Sequence, residues 1–195
     1  MRVGVLALQG SVKEHIKLLR ECGVEPVEVR LPEHMDNIYG LIIPGGESTT
    51  MGKLIVAYGL DKEILNKYEL GMPIYGTCAG AILLAKNIVD SNQPKLNLMD
   101  ISIKRNEYGR QLNSFEAELI IDGFDKPFHG IFIRAPIVNT VYNGAKIMSQ
   151  FNEKPVLLRQ GNLLMSTFHP ELTNDKRIHQ YFVEMINKSR ADWYE

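Results

Sequence analysis

One of the chain's two cysteines, Cys78, lies in Gly76-Thr77-Cys78-Ala79-Gly80, between the apolar runs MPIY and ILLA. G-x-C-x-G at a strand-to-helix junction is the thiol form of the nucleophile elbow. A sharp turn lifts one side chain above the strand ends, and the flanking glycines remove Cβ atoms that would clash in it. A thiol at a helix start faces free N–H groups and the positive end of the dipole, which favour thiolate. The N–H of Ala79 is then placed to hold a developing oxyanion. The other cysteine, Cys22, ends a helical stretch beside Gly23 with no accompanying motif, and reads as a packing residue.

A thiol nucleophile needs a base, and the base needs a group to orient it. Of the five histidines, His169 stands apart: it closes the run LLMSTF and opens His169-Pro170-Glu171. A histidine at the carboxyl end of one parallel strand can reach a cysteine at the end of another. Glu171 can accept a hydrogen bond from the imidazole and fix its tautomer, and Pro170 stiffens the link. Such a set is recognised by geometry and roles, so the order Cys, His, Glu is no obstacle. HPE alone reads equally as a turn with a surface glutamate. His15 and His179 fall in helical stretches and read as surface or packing residues. His34 lies in a loop, and His129 precedes an apolar strand and reads as a satisfied structural histidine.

A third stretch, IIPGGEST (residues 42–49), runs from an apolar strand into a glycine pair. Glycine backbone can bring N–H groups close to a reacting oxygen, so Gly46 is a candidate second oxyanion donor. No lysine follows at phosphate-loop spacing. The remaining reading is an ordinary turn.

The elements that must position these residues alternate through the first half. Strands are expected at residues 3–8, 26–30, 39–43 and 72–75. Helices are expected from a capping box at Ser11-Val-Lys-Glu14 to about Cys22, with Gly23 as its stop, from about Thr50, over 61–68 and over 79–86. This alternation argues for a parallel sheet covered on both faces. The second half is richer in strands: 115–121, 131–134, 137–141, and a pair, 155–160 and 163–168, flanking the hairpin signal Gly161-Asn162. A last helix spans about 174–189. Residues 89–113 read as a long loop with short strands.

The 195 residues are expected to form one domain, 1–195, with 45% hydrophobic and 23% charged residues, an ordinary globular composition. A formal net charge of -1 gives no electrostatic reason to expect nucleic acid or an anionic membrane as partner. The apolar run at 3–8 is too short for a secretory signal and reads as a buried strand. Two cysteines make no disulfide framework, and no Cys/His metal spacing occurs. The expectation is a cytoplasmic protein with reduced thiols and no metal.

In sequence order, PGGES, GTCAG and HPE resemble the class I, triad-type glutamine amidotransferases. VGVLALQGS, RNEYGRQ (105–111) and FIRAP (132–136) bring the chain closer to one branch, the glutaminase subunits of pyridoxal 5'-phosphate synthase. Tyr108 stands where that branch more often has Phe. The resemblance runs from the first strand to the last. It implies a three-layer α/β fold with a mainly parallel central sheet, and L-glutamine as substrate. It implies that Cys78 attacks the side-chain amide, that His169 moves the protons, that Glu171 orients His169, and that a γ-glutamyl thioester is hydrolysed. It puts Gly46, Glu47 and Ser48 on a glutamine-binding loop, and Arg105, Ile133 and Arg134 at further binding positions.

The residue types agree, because free glutamine needs an acceptor for its α-amino group and a cation for its carboxylate. On residue type alone, each arginine reads as a solvated surface charge. By resemblance, a separate (β/α)8-barrel synthase subunit receives the ammonia and builds pyridoxal phosphate, which is thus a product and not a cofactor of this chain. Leu8-Gln9-Gly10-Ser11 falls on a loop next to the active site and the partner interface, with Gln9 and Gly10 as its gating residues, and docking is expected to order the oxyanion loop. Rival readings are a glutaminase serving another acceptor, as in histidine biosynthesis, a cysteine hydrolase or redox protein on a similar fold, and an inactive binding subunit.

Overall fold

The computed structural model describes residues 1–105 and 114–191. Its central sheet has seven strands. In spatial order they are β10 (Lys146–Phe151), β11 (Lys154–Gln160), β12 (Leu163–Ser166), β4 (Ile74–Thr77), β3 (Leu41–Ile43), β1 (Arg2–Leu6) and β2 (Glu25–Val29). From β12 to β2 every pairing is parallel, while β10, β11 and β12 pair antiparallel. The expected three-layer, mainly parallel architecture is therefore present.

The layers follow from the period of two along each strand. Leu6, Leu41, Ile43, Ile74, Leu163 and Met165 point into one apolar core. Val3, Val5, Ile42, Tyr75 and Leu164 point into the other. The first core is covered by α2 (Ser48–Ala57), α3 (Leu60–Glu69) and α4 (Ala79–Leu84). It is flanked by a three-stranded sheet of β5 (Ala85–Ile88), β6 (Met99–Lys104) and β9 (Ile137–Val141). The second core is covered by α1 (Val12–Glu21), α5 (Arg177–Ala191) and the hairpin of β7 (Ser114–Leu119) and β8 (Phe128–Ile133). Every strand turned inward on both faces must be apolar throughout, which is why these runs lack polar alternation.

Three local expectations are corrected. The Ser11 capping box does not form: Ser11 precedes α1, but its side chain makes no bond to the helix. The helix expected over 79–86 stops at Leu84, because residues 85–88 are captured as β5 beside β6. The stretch read as a long loop with short strands does hold one, β6, the middle strand of its sheet. Strand β10 is not among the strands expected from sequence. Its two-residue turn, Asn152-Glu153, has φ of 47° and 62° without a glycine to announce it.

Candidate active site

Cys78 stands between β4 and α4 with φ 49° and ψ -101°, outside the comfortable region for a residue with a Cβ. Its N–H donates to the Ser166 carbonyl (2.8 Å), so β12 holds the turn from one side. The glycines make the turn possible. A Cβ on Gly76 would lie 2.6 Å from the Gly80 carbonyl, and one on Gly80 would run into the Ile43 carbonyl of the neighbouring strand. Cys78 is 8% exposed, and its sulfur lies 3.9 Å from the Ile133 carbonyl oxygen at the end of β8.

His169 follows β12 and is anchored by its N–H to the Ile131 carbonyl of β8 (2.8 Å). Glu171 sits in the 3-10 turn Pro170–Leu172 and is 4% exposed. His169 Nδ1 lies 2.8 Å from Glu171 Oε1. A carboxylate can only accept, so Nδ1 carries the hydrogen and Nε2 is left as the nitrogen facing the thiol. Burial opposes a charge on His169, but hydrogen bonds with Cys78 and Glu171 outweigh it and raise its pKa. Burial also opposes the Glu171 charge. His15, His169 and Ser11 outweigh that and hold its carboxyl below the usual carboxylate range. The Ser11 hydroxyl donates to the same Oε1 at 2.6 Å.

The glycine loop packs across the thiol. A Cβ on Gly45 would fall 2.5 Å from the His169 ring and 3.5 Å from Cys78 Cβ, so only glycine lets the loop approach this closely. The Gly45 carbonyl accepts from Ser11 N–H (3.4 Å). The Gly46 N–H, on the same trans peptide, therefore points away from Ser11. Gln9 Oε1 accepts from the Glu47 N–H (3.1 Å), and Gly10, with φ +95°, lies flat against Gly45. Thus Gln9 and Gly10 clamp the loop that carries Gly46, Glu47 and Ser48.

Glu47 caps α2, accepting from the Thr49 and Thr50 N–H groups at 3.0 and 2.8 Å. The Thr50 hydroxyl bond is the main reason its carboxyl is lowered to about 2. Arg105 reaches across to it, with Nη2 3.5 Å from Glu47 Oε1 and Nη1 2.9 Å from both Thr49 Oγ1 and Gln93 Oε1.

These groups enclose a cavity of about 440 Å³, lined by Gly10, Ser11, Gly46, Glu47, Ser48, Cys78, Ala79, Arg105, Ile133, Arg134 and His169, with Leu172 at its edge. Glu171 stands behind His169, and Gln9 acts on the loop from outside. Arg134 has φ +44°, a turn after β8 that the FIRAP motif does not reveal. Residues 106–111 of RNEYGRQ, with Tyr108, lie outside the described residues.

Sequence reasoning missed Thr49, Gln93 and His15, and placed Ser11 beside the site without its bond to Glu171. Ser11 reads locally as a cap, and Gln93 lies in a stretch with no periodicity. Of the two readings for His15 and His179, surface or packing, the second holds: both are fully buried, and they are paired with each other. His129 lies on the solvent face of β8 between Glu116 (2.7 Å) and Glu118 (2.8 Å), whose hydrogen bonds raise its pKa. Cys22 is half-buried at the end of α1, and burial pushes its thiol up.

A thiol elbow, an imidazole and a carboxylate gather over the carboxyl edge of a parallel sheet, on the fold of the class I glutamine amidotransferases. Within that class, the sequence model of the SNO glutamine amidotransferase family matches residues 5–188, and the chain belongs to that family. It is 52% identical over 185 residues to a protein of Pelotomaculum thermopropionicum named pyridoxal 5'-phosphate synthase subunit PdxT, covering 94% of each chain. A protein of the same name from Geobacillus kaustophilus is 48% identical over 97% of each chain. A solved glutamine amidotransferase superposes with a TM-score of 0.92 at 48% identity, over 95% of this chain and 98% of the other. A putative GMP synthase component from Thermoplasma acidophilum shares the fold alone, with a TM-score of 0.75 at 16% identity over 100% of this chain and 98% of that one.

Proposed function

We propose that the chain is the glutaminase of a pyridoxal 5'-phosphate synthase. It hydrolyses L-glutamine to glutamate and ammonia and delivers the ammonia to a (β/α)8-barrel synthase subunit. The observation that carries the chemistry is the His169 Nδ1 to Glu171 hydrogen bond, which leaves Nε2 basic and turned to Cys78. The pathway rests on relatives of about half identity over nearly the whole chain.

In this reading, Cys78 sulfur bonds to the amide carbon of glutamine while His169 Nε2 takes the thiol proton. The N–H groups of Ala79 and Gly46 hold the oxyanion. Collapse breaks the C–N bond, His169 returns the proton to the departing nitrogen, and ammonia leaves a γ-glutamyl thioester. Water then attacks, with His169 again taking the proton, and glutamate is released with the thiol restored. Glu47 accepts from the substrate's α-ammonium, and Arg105 and Arg134 donate to its α-carboxylate. Ile133 and Ser48 wall the channel. The partner binds over Gln9 and Gly10, sets the Gly45-Gly46 peptide, and so gates turnover. The site works in the cytoplasm, where both free cysteines stay reduced.

An electrophilic glutamine analogue, with a diazoketone in place of the amide, tests the assignment. The reading predicts one adduct per chain, on Cys78, with L-glutamine protecting against it. Labelling of Cys22, or indifference to glutamine, contradicts it.

A further inference from the structure

Behind Glu171 lies a buried polar group that takes no part in the glutaminase chemistry proposed for Cys78 and His169. Glu171 Oε1 already accepts from His169 and Ser11. Its second oxygen, Oε2, is buried and makes no hydrogen bond among the described residues. The polar atom facing it is His15 Nε2, 3.6 Å away. The same Nε2 lies 3.2 Å from the hydroxyl of Thr77, the residue before Cys78. His15 Nδ1 lies 2.9 Å from His179 Nε2 on α5, and both imidazoles are 0% exposed. Four elements, α1, β4, α5 and the Pro170–Leu172 turn, thus meet at one point behind the base.

Proton placement follows from the neighbours. Burial is the largest influence on both rings and lowers the pKa of each, which disfavours a charge on either, and the 2.9 Å contact between His15 Nδ1 and His179 Nε2 then holds one hydrogen. If His15 kept it on Nδ1, its bare Nε2 lone pair would face a carboxylate, and the N–H on His179 Nδ1 would be buried without an acceptor. If His179 donates it, His15 carries its hydrogen on Nε2, aimed at Glu171 Oε2 and Thr77. The second arrangement leaves only an acceptor without a partner, the cheaper defect.

We propose that His15 is a positioning residue for glutamine hydrolysis, holding the ionised Glu171 carboxylate through its Nε2–H while His179 fixes its tautomer. This rests on the glutaminase reading above. The charged and titratable groups around His15 and its partner are Glu171 from the 3-10 turn, His169 just before that turn, His179 from α5 with Tyr75 of β4 against it, and Glu14 on the helix of His15 itself.

Two amide variants separate the contacts. His15→Gln places an N–H where Nε2 was. His15→Asn is too short for that and retains only the His179 side. In the complex with the barrel synthase, His15→Asn is expected to lower kcat about tenfold or more, with KM for glutamine within twofold, since His15 does not line the cavity. The acid limb of its pH profile moves up by about one unit, because an unsupported Glu171 protonates sooner. His15→Gln restores the limb, and kcat to within about threefold.

Alkylation of Cys78 by iodoacetamide, followed by peptide mass spectrometry across pH, reads the same pair without any turnover. Its midpoint is expected to shift in His15→Asn and not in His15→Gln. A parent complex inactive on glutamine would sink the glutaminase reading and leave this second test standing. Equal impairment of both variants with unmoved pH profiles, or no impairment in His15→Asn, overturns the proposal. If His15→Asn fails to fold, His15→Met, which fills the space without a donor, takes its place with the same two readings.

Discussion

Ser11 and Glu171, 160 residues apart in sequence, are joined by a 2.6 Å hydrogen bond from hydroxyl to carboxylate. The bond ties the loop after β1 to the carboxylate behind His169. The backbone N–H of Ser11 holds the Gly45 carbonyl at the same time. One residue therefore touches both the acid and the glycine loop. Anything that displaces the β1–α1 loop displaces both.

Ser11→Ala removes one of two donors to Glu171 Oε1. A hydrogen bond to a charged group is worth about 1.5–3 kcal/mol. We expect kcat for glutamine to fall about tenfold, with folding intact by circular dichroism. Unchanged kcat would detach Ser11 from the site.

The elbow stores strain at Cys78, and substitutions there separate strain from chemistry. Cys78→Ala and Cys78→Gly should both abolish hydrolysis. Both should still bind the barrel synthase, since the thiol lies inside the cavity. The glycine variant should be the more stable by about 1 kcal/mol, because φ 49° costs glycine little. Thermal melting compares them, and a more stable alanine variant would remove the strain argument. Glu171→Gln, which keeps the bond chemistry on Cys78 and His169, should lower turnover less than either.

Gly10→Ala would drive a Cβ into the Gly45 carbonyl at a φ that disfavours side chains. The glycine loop must then move away from Cys78. Glutamine KM should rise and kcat should fall together, and wild-type values of both would show that the loop tolerates the shift.

The buried histidines set an acid limit to stability. Burial, then the neighbouring His15, holds His179 at about 3, against about 6.5 in an unfolded chain. Between these values the unfolded chain binds a proton that the folded chain refuses, so stability falls as pH drops from about 6.5 toward 3. His15 acts in the same direction. Glu171 has a lowered pKa, so its contribution is whole above about 4.3 and is lost as pH falls through its folded value. His169 has a raised pKa, so its contribution is whole below about 6.5 and is lost as pH rises through its folded value. Urea denaturation at pH 7 and pH 5 should find the parent weaker at pH 5. The difference should shrink in His179→Gln, and an equal difference in both would refute the assignment.

How far the sequence reached depended on whether the local signal and the tertiary contact agreed. At Gly76, Cys78 and Gly80 they agree: the glycines that mark the motif are the ones the turn needs. The pair β11 and β12 was legible because Gly161 announces its turn. Strand β10 was not, because Asn152 and Glu153 make the same kind of turn without a glycine. At Ser11 the local signal misled. A serine three residues before a glutamate is a capping box in isolation, yet Glu171 accepts the hydroxyl bond instead. His15 and His179 gave no local signal at all. Their burial is set by the packing of α1 against α5, and nothing in the spacing of either helix reports the other.

The most direct test of the account is glutamate release from L-glutamine by the purified chain, with and without the barrel synthase, and with Cys78→Ala as control. The account predicts release that rises sharply when the synthase is present and vanishes in the variant. Release that ignores the synthase, or that survives loss of the thiol, would contradict it.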